Sequence, residues 1–326
     1  MGEPAGVGGE IVLKAWRSRL ANIPPFFVID DARRLQRLSE SLGLGVPVGV
    51  IDAASEAVER FATALPVVHR PLPRRAVPGT PDPENAAAVI AAIEIAVAMV
   101  QAGEAAAVIT NPIHKKSLYD AGFRFPGHTE FLAALAGGDV RPVMMLACPV
   151  LRVVPVTVHV SLRQAIETLH APDIVDIAHI TFDALRRDFG IARPRLAVAG
   201  LNPHAGEDGT MGDEESTIIA PAIARLRAQG LDVAGPLPPD TLFSSRARKG
   251  YDAALCMYHD QALIPLKALD FDGGVNVTLG LPFVRTSPDH GTAFDIAGSG
   301  QASEASLTAA LILAANLARG RGDGAQ

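Results

Sequence analysis

The sequence predicts an α/β protein built on a largely parallel sheet, and three features carry that prediction. Short apolar runs alternate with amphipathic stretches along the chain, the pattern of strands joined by crossover helices. Of the 326 residues, 48% are hydrophobic and 20% charged, which is enough apolar material for a sizeable core and too little charge for disorder. Aromatic residues make up only 5%, so Ala, Val, Leu and Ile must fill the core, as in layered α/β proteins.

The strand candidates, in order, are Phe26–Ile29, Ala106–Thr110, Val143–Leu146, Val153–His159, Leu196–Leu201, Ala253–Tyr258 and Val275–Leu279. The helix candidates are Glu10–Arg19, Glu84–Ala102, Thr129–Leu135, Leu162–Leu169, Pro172–Asp188, Glu214–Gln229 and Ser303–Ala318. Pro172 suits the first turn of its helix, where its missing N–H costs nothing. Arg70–Pro83, with five prolines and three arginines, and Gly235–Asp240 read as loops. The polar, Gly-rich tail Arg319–Gln326 is expected to fray. At roughly 150 residues per domain, the length fits one large or two ordinary domains.

The formal net charge of −6, with no long basic run, argues against nucleic acid as a partner. An anionic ligand would have to be held by a few local cations. Cys148 and Cys256 each sit in an apolar run and read as buried thiols in a reducing cytosol, not as a disulfide or redox pair. The start has neither the basic nor the apolar segment of a signal peptide. The most apolar helix candidate, near 86–100, carries Glu94 and reads as too short and too Ala-rich to span a bilayer. The expectation is a cytoplasmic protein with no membrane partner.

His159, His204 and His259 share one position, each following a predicted strand directly or within a few residues. Ligands of open α/β sheets bind beyond the carboxyl ends of the strands. Three imidazoles delivered there can converge on one divalent cation and leave coordination positions for substrate. The competing reading is three hydrogen-bonded structural histidines, because no compact HExxH or CxxC signature is present. Asp260 and Asp240 are candidates to orient the imidazoles, or else plain surface and capping residues.

Thr129, in Gly127-His-Thr-Glu-Phe131, stands at an expected helix start, where a hydroxyl cap and open N–H groups receive phosphate or carboxylate. From the sequence alone, an ordinary N-cap is the better reading. Lys267, Asn276 and Arg285 follow His259 among Gly and Pro turns, and Lys and Arg there suit a phosphoester, although solvated surface charges fit the same pattern. Gly2–Gly9 opens into a helix and lets backbone approach a ligand closely, without being a GxGxxG fingerprint. Asp289–Gly298 reads as a loop wrapped on a polar ligand or as a plain turn.

These motifs together resemble the 4-hydroxythreonine-4-phosphate dehydrogenase family of pyridoxal phosphate biosynthesis. The matching segments run nearly end to end: Gly2–Gly8, Thr110-Asn-Pro-Ile-His-Lys115, Gly127–Phe131, Gly200-Leu-Asn-Pro-His-Ala-Gly-Glu207, Asp240–Phe243, Met257–Gln261, Asn276–Phe283 and Arg285–Thr292. The resemblance implies an isopropylmalate dehydrogenase-like α/β fold, two α/β/α domains with an active-site cleft between them. It implies a discontinuous cofactor-binding domain, 1–128 with 266–326, and a dimerisation and metal-binding domain, 129–265. His159, His204 and His259 match the family's metal ligands, and His128, Thr129, Lys267, Asn276 and Arg285 match its substrate-binding positions, with the histidines and Lys267 assigned to catalysis. His290, Gly291, Thr292, Ala293, Asp295 and Ile296 look like the adenosine-binding loop of isopropylmalate and isocitrate dehydrogenases. A homodimer with its active site at the subunit interface is implied as well. In this family a short strand usually precedes the Gly-Glu-Pro-Ala-Gly loop, which here directly follows Met1.

The reaction so implied is NAD-dependent oxidation of 4-phosphohydroxy-L-threonine at its C3 hydroxyl. The resulting β-keto acid decarboxylates to 3-amino-2-oxopropyl phosphate. NADP is the alternative to NAD, and Zn, Mg, Mn or Co are the candidate metals. Rival readings are a dehydrogenase of erythronate or threonate 4-phosphate or of an aromatic cis-dihydrodiol, and a phosphate acyltransferase.

Overall fold

The computed structural model describes residues 1–19 and 23–323. The chain forms two compact units, Met1–Val140 with Leu281–Asn316, and Arg141–Gly280 with Leu317–Gln326. The sequence boundaries stood at 128/129 and 265/266. The compact units divide at 140/141 and 280/281; ahead of the first division, Phe131 and Leu132 are buried with Val89, Ile93 and Phe283 of the first unit.

The first unit runs α1 (Gly8–Arg17), β1 (Val28–Asp30), α2 (Ala32–Ser41), β2 (Val48–Ile51), α3 (Ala57–Phe61), β3 (Leu65–His69), α4 (Ala86–Gln101), β4 (Ala107–Ile109), α5 (Lys115–Asp120) and α6 (His128–Ala136). The second unit runs β5 (Val143–Cys148), β6 (Leu151–Pro155), α7 (Leu162–Glu167), α8 (Ala171–Arg187), β7 (Arg195–Ala199), α9 (Ala220–Ala228), β8 (Asp232–Leu237), α10 (Pro239–Leu242), β9 (Ala253–Cys256), α11 (His259–Leu269) and β10 (Val275–Leu279). The chain ends with β11 (Val284–Pro288) and α12 (Ala305–Asp323).

In the first unit, β1, β3 and β2 form a parallel sheet, and β4 pairs in parallel with β11. The edges of β1 and β4 face an apolar cavity of about 340 Å³ lined by Phe27, Ile29, Ile109 and Leu311. Helix α1 buries Ile11, Val12, Leu13, Ala15 and Trp16, and the Trp16 indole N–H donates to Phe61 O at 3.0 Å. Buried Ala86, Val89, Ile93 and Val97 of α4 repeat at three and four residues and so form one helix face. By length and composition alone, Pro83–Gln101 is long and apolar enough to cross a membrane, contrary to the expectation for 86–100. Its inner face belongs to a core shared with Val108, Leu118 and Phe131.

In the second unit the strand order is β10-β5-β6-β9-β7-β8. The pairs β10–β5 and β5–β6 are antiparallel, whereas β6–β9, β9–β7 and β7–β8 are parallel. Cys148 and Cys256 are buried and unbridged, and burial pushes the Cys256 thiol up, as expected for an inert packing residue. All the predicted strands and helices are present. The sequence reading overlooked α2, α3, α5, α10, α11, β2, β3, β8 and β11.

Two loop expectations are overturned. Gly235–Asp240 carries the end of β8 and the start of α10; β8 is an edge strand, where Pro236 removes no ladder hydrogen bond. The tail stays helical to Asp323, and residues 324–326 lie outside the described residues. Buried Asp188 accepts from the guanidinium of Arg321 at 2.6 Å and of Arg187 at 2.7 Å. Burial alone would raise the Asp188 pKa, but the two arginines hold it below the ordinary 3.8.

A depressed carboxylate pKa stabilises the fold above the unfolded value and loses that contribution as pH falls through the folded one. Asp188→Asn is expected to cost about 2 kcal/mol at neutral pH, with the partly exposed Arg187 contributing the smaller share. Chemical denaturation of both proteins should show the difference at pH 7 and its loss in strong acid; a gap independent of pH would refute the assignment.

Candidate active site

Strands β6, β9 and β7 are neighbours and parallel, so their carboxyl ends emerge on one edge of the sheet. His159 follows β6 by four residues, His259 opens α11 three residues after β9, and His204 follows β7 by five. The structure brings two of the three together, with the rings of His159 and His259 5.9 Å apart between centroids. That separation approaches the ~5 Å of two imidazoles on one tetrahedral ion at ordinary metal–nitrogen distances. His259 Nδ1 meets Asp260 Oδ1 at 2.7 Å, the arrangement in which a carboxylate orients an imidazole and leaves its Nε2 for another partner. Both histidines line a pocket of about 240 Å³ with Thr157, Leu162 and Tyr258. Asp240 lies exposed in α10.

His204 does not join this pair: among the described residues there is no group of three His, Cys, Asp or Glu side chains set to hold one ion. It is exposed on an unusual turn. His204, Ala205, Glu207 and Asp208 have positive φ, at 53°, 53°, 41° and 55°, and Gly206 lies between them at 79°. Each left-handed non-glycine residue costs about 1–2 kcal/mol. The buried Glu215 carboxylate holds the base of the turn, accepting at 2.7 Å from Leu201 N and at 2.7 Å from Asn202 N. Its Oε2 accepts from Asn202 Nδ2 at 2.9 Å, and a Cβ on Gly206 would stand only 2.7 Å from that oxygen.

Buried Gln261 ties the histidine loops together. Its Oε1 accepts from Met257 N at 2.7 Å, and its Nε2 donates to Gly200 O at 2.7 Å. Thr157 donates through N and Oγ1 to Met257 O. Sequence reasoning missed Glu215 and gave Gln261 no role. Their signal is fold-dependent: a carboxylate thirteen residues from the backbone it organises has no local pattern.

In the first unit, Arg285 on β11 is buried and donates to Thr110 Oγ1 at 2.6 Å, and burial lowers its pKa to about 10. His128 opens α6 with its Nε2 sequestered and without a hydrogen-bond partner. Burial first, and then the charges of Arg285, the N-terminal ammonium and Lys115, pull its pKa well below the ordinary 6.5, so the imidazole is neutral near pH 7. Thr129 does not cap this helix as expected: Gly127 is the N-cap, and no side chain caps the first-turn N–H groups. In the second unit, Lys267 lies in the last turn of α11, 5.7 Å over the Phe271 ring, and Asn276 is half-buried on β10.

The Gly2–Gly8 loop grips the candidate cofactor loop. Val7 N donates to Thr292 O at 3.0 Å, and a Cβ on Gly6 would approach that oxygen to 2.9 Å, so only glycine fits. His290 Nδ1 meets Gly291 O at 3.0 Å, Ala293 takes a left-handed φ of 44°, and Ile296 N donates back to Ala293 O. Phe294 meets the His114 ring edge-on at 5.1 Å. Thus the glycine-rich segment positions the loop containing Asp295 through a close backbone approach. Glu3, whose pKa burial raises, accepts from Ala5 N at 3.0 Å within the glycine-rich loop.

Glu215→Ala removes three hydrogen bonds from the base of the His204 turn and should destabilise the protein by about 3 kcal/mol. Ala205→Gly, by relieving a left-handed alanine, should leave stability unchanged or raise it by up to ~1 kcal/mol, where an ordinary helix would lose that much. Denaturant titration of both variants reads the two signs; a destabilised Ala205→Gly would refute the strain argument.

The whole chain has counterparts among known proteins. It is 56% identical over 329 residues to the 4-hydroxythreonine-4-phosphate dehydrogenase of Bradyrhizobium diazoefficiens, covering 98% of this chain and 95% of the relative. A crystal structure of 4-hydroxythreonine-4-phosphate dehydrogenase from Klebsiella pneumoniae superposes with a TM-score of 0.86 at 41% identity, covering 98% of each chain. More distant is the terephthalate 1,2-cis-dihydrodiol dehydrogenase of Burkholderia xenovorans, with a TM-score of 0.65 at 28% identity over 97% of this chain and 96% of that one. The family model of the pyridoxal phosphate biosynthetic protein PdxA matches residues 22–314. With that match and relatives above half identity over nearly its whole length, the chain belongs to the PdxA family.

Proposed function

We propose that this protein is a metal-dependent, NAD- or NADP-linked dehydrogenase of 4-phosphohydroxy-L-threonine in cytoplasmic pyridoxal phosphate biosynthesis. The net reaction oxidises the C3 hydroxyl to a β-keto acid, which loses CO₂ to give 3-amino-2-oxopropyl phosphate. The observation that carries this reading is the pairing of His159 with His259 at the ends of adjacent parallel strands, with Asp260 on the far nitrogen of His259.

His159 and His259 would hold a divalent ion, Zn, Mg, Mn or Co. His204 would be the third ligand, supplied by a second copy of the chain, which its separation from the pair and its display on a rigid left-handed turn support. Exposed Val160, Leu162 and Ile166 beside His159 support a homodimer with that face covered. When bound, such an ion polarises the substrate hydroxyl and lowers its pKa.

Arg285, His128 and Thr129 would hold the substrate's phosphate, and Lys267 and Asn276 are the further substrate-binding residues we propose. Neutral His128 would offer a hydrogen bond without competing for the charge that Arg285 supplies. His290, Gly291, Thr292, Ala293, Asp295 and Ile296 would carry the adenosine side of the dinucleotide. A buried arginine beside an open helix N-terminus favours a phosphoester over an uncharged cis-dihydrodiol.

Protein stripped by chelator and reloaded with each metal should form NADH with 4-phosphohydroxy-L-threonine and much less with erythronate 4-phosphate, threonate 4-phosphate or a cis-dihydrodiol. Turnover unaffected by chelation would overturn the metal reading, and preference for another substrate the assignment. His159→Ala and His204→Ala should each be inactive alone. Mixed after dissociation, they should regain about a quarter of wild-type activity, since half the dimers form one intact site. No recovery would put His204 in the same subunit.

A further inference from the structure

Helix α5 begins in a way its own electrostatics oppose. Lys115 and Lys116 occupy its first turn, which contains no acidic residue, although a helix N-terminus favours negative charge. Lys116 is compensated by Asp120, 2.9 Å away one turn later. Lys115 is exposed and makes no hydrogen bond or ion pair within the described residues.

Its ammonium is directed toward the start of a different helix. A Cβ built on Gly127 would stand 3.7 Å from Lys115 Nζ and 3.6 Å from its Cε, so the side chain lies along the N-cap of α6. That nine-residue helix has no side-chain cap. Its first residue, His128, keeps a buried, unpartnered Nε2, and the charges of Lys115 and Arg285 both reach this imidazole. Glu130 is the near carboxylate, with Oε2 3.5 Å from the same Gly127 position, yet it forms no ion pair with Lys115.

We propose that Lys115 is a further anion-binding residue of the substrate site, its ammonium joining the α6 N-terminus, His128 and Arg285 around the substrate's phosphoryl group. The assignment rests on the phosphoester reading above. A lysine that costs its own helix stability and has no partner in the fold is accounted for by a charge that arrives with the ligand. Lys115 is a binding and positioning residue here, since nothing places it at the reacting carbon.

Lys115→Gln is expected to raise KM for the phosphorylated substrate about tenfold to a hundredfold, the worth of a charge-assisted hydrogen bond. kcat should change less than about threefold, and KM for the dinucleotide should not move. Lys115→Arg should retain most of the affinity. Calorimetric titration of the wild type with inorganic phosphate should show saturable binding weakened by a similar factor in Lys115→Gln, a readout that does not depend on which phosphoester is turned over. The melting temperature of Lys115→Gln should equal or exceed that of the wild type, because a cation leaves a helix N-terminus. Unchanged KM and phosphate affinity would overturn the proposal, as would absence of phosphate binding by the wild type. A lowered melting temperature with a fall in kcat would make Lys115 structural.

Discussion

The parallel ladder β6–β9–β7 is the constraint on which the candidate metal site depends. Parallel strands cannot be joined by tight turns, so each needs a crossover, and each delivers its next loop to the same edge of the sheet. Here those loops bear His159, His259 and His204. The interstrand register decides where each loop starts. Val154 pairs with Leu255, and Leu255 with Val198, so the three strands run out nearly level. Gln261 then ties the start of α11 to Gly200, and Thr157 ties the His159 turn to Met257. A shift of one residue in any strand would turn its inward side chains outward and move its histidine along the edge.

The His204 turn shows how the fold offsets local strain with a buried charge. Four non-glycine residues in the left-handed region cost several kcal/mol together. The Glu215 carboxylate offsets part of this through hydrogen bonds from two backbone N–H groups and an amide, made where water does not compete. Glu215 itself begins a π-helical turn ahead of α9, an irregularity that sets its side chain against Gly200 and Gly206. The result is an exposed histidine displayed on a strained turn whose base is fixed by a buried carboxylate.

Much of this was legible in the sequence because it depends on strand ends and residue type. The long apolar strands and amphipathic helices announce themselves by period, and the three histidines by their place after apolar runs. Short elements escaped for a physical reason. β2 has four residues with only Ile51 fully buried, and α2 has a strongly polar face and few apolar residues, so neither produces a long periodic signal. Thr129 was misread because a hydroxyl at a helix start resembles a cap, while the structure begins α6 one residue earlier and leaves Gly127 in that role. Gly2–Gly8 showed close backbone approach without showing to what; its partner, Thr292, is nearly the whole chain away. Glu215 and Gln261 were illegible because their roles exist only once β7 and β9 are adjacent.

The electrostatics of the first unit also follow from placement and not from composition. A chain with a net charge of −6 repels an anionic substrate at long range, so affinity must be generated locally. Burying Arg285 removes water that would screen its charge, at the cost of desolvation that lowers its pKa to about 10 and still leaves it protonated near pH 7. Burial first, and the field of Arg285 second, keep His128 neutral, which avoids a further buried charge beside the arginine. The uncapped α6 adds directed N–H dipoles without adding any net charge. Exposed cations alone would be screened by salt within about 10 Å, whereas the combination proposed here would act at contact distance, where a phosphoryl group is told from a neutral hydroxyl.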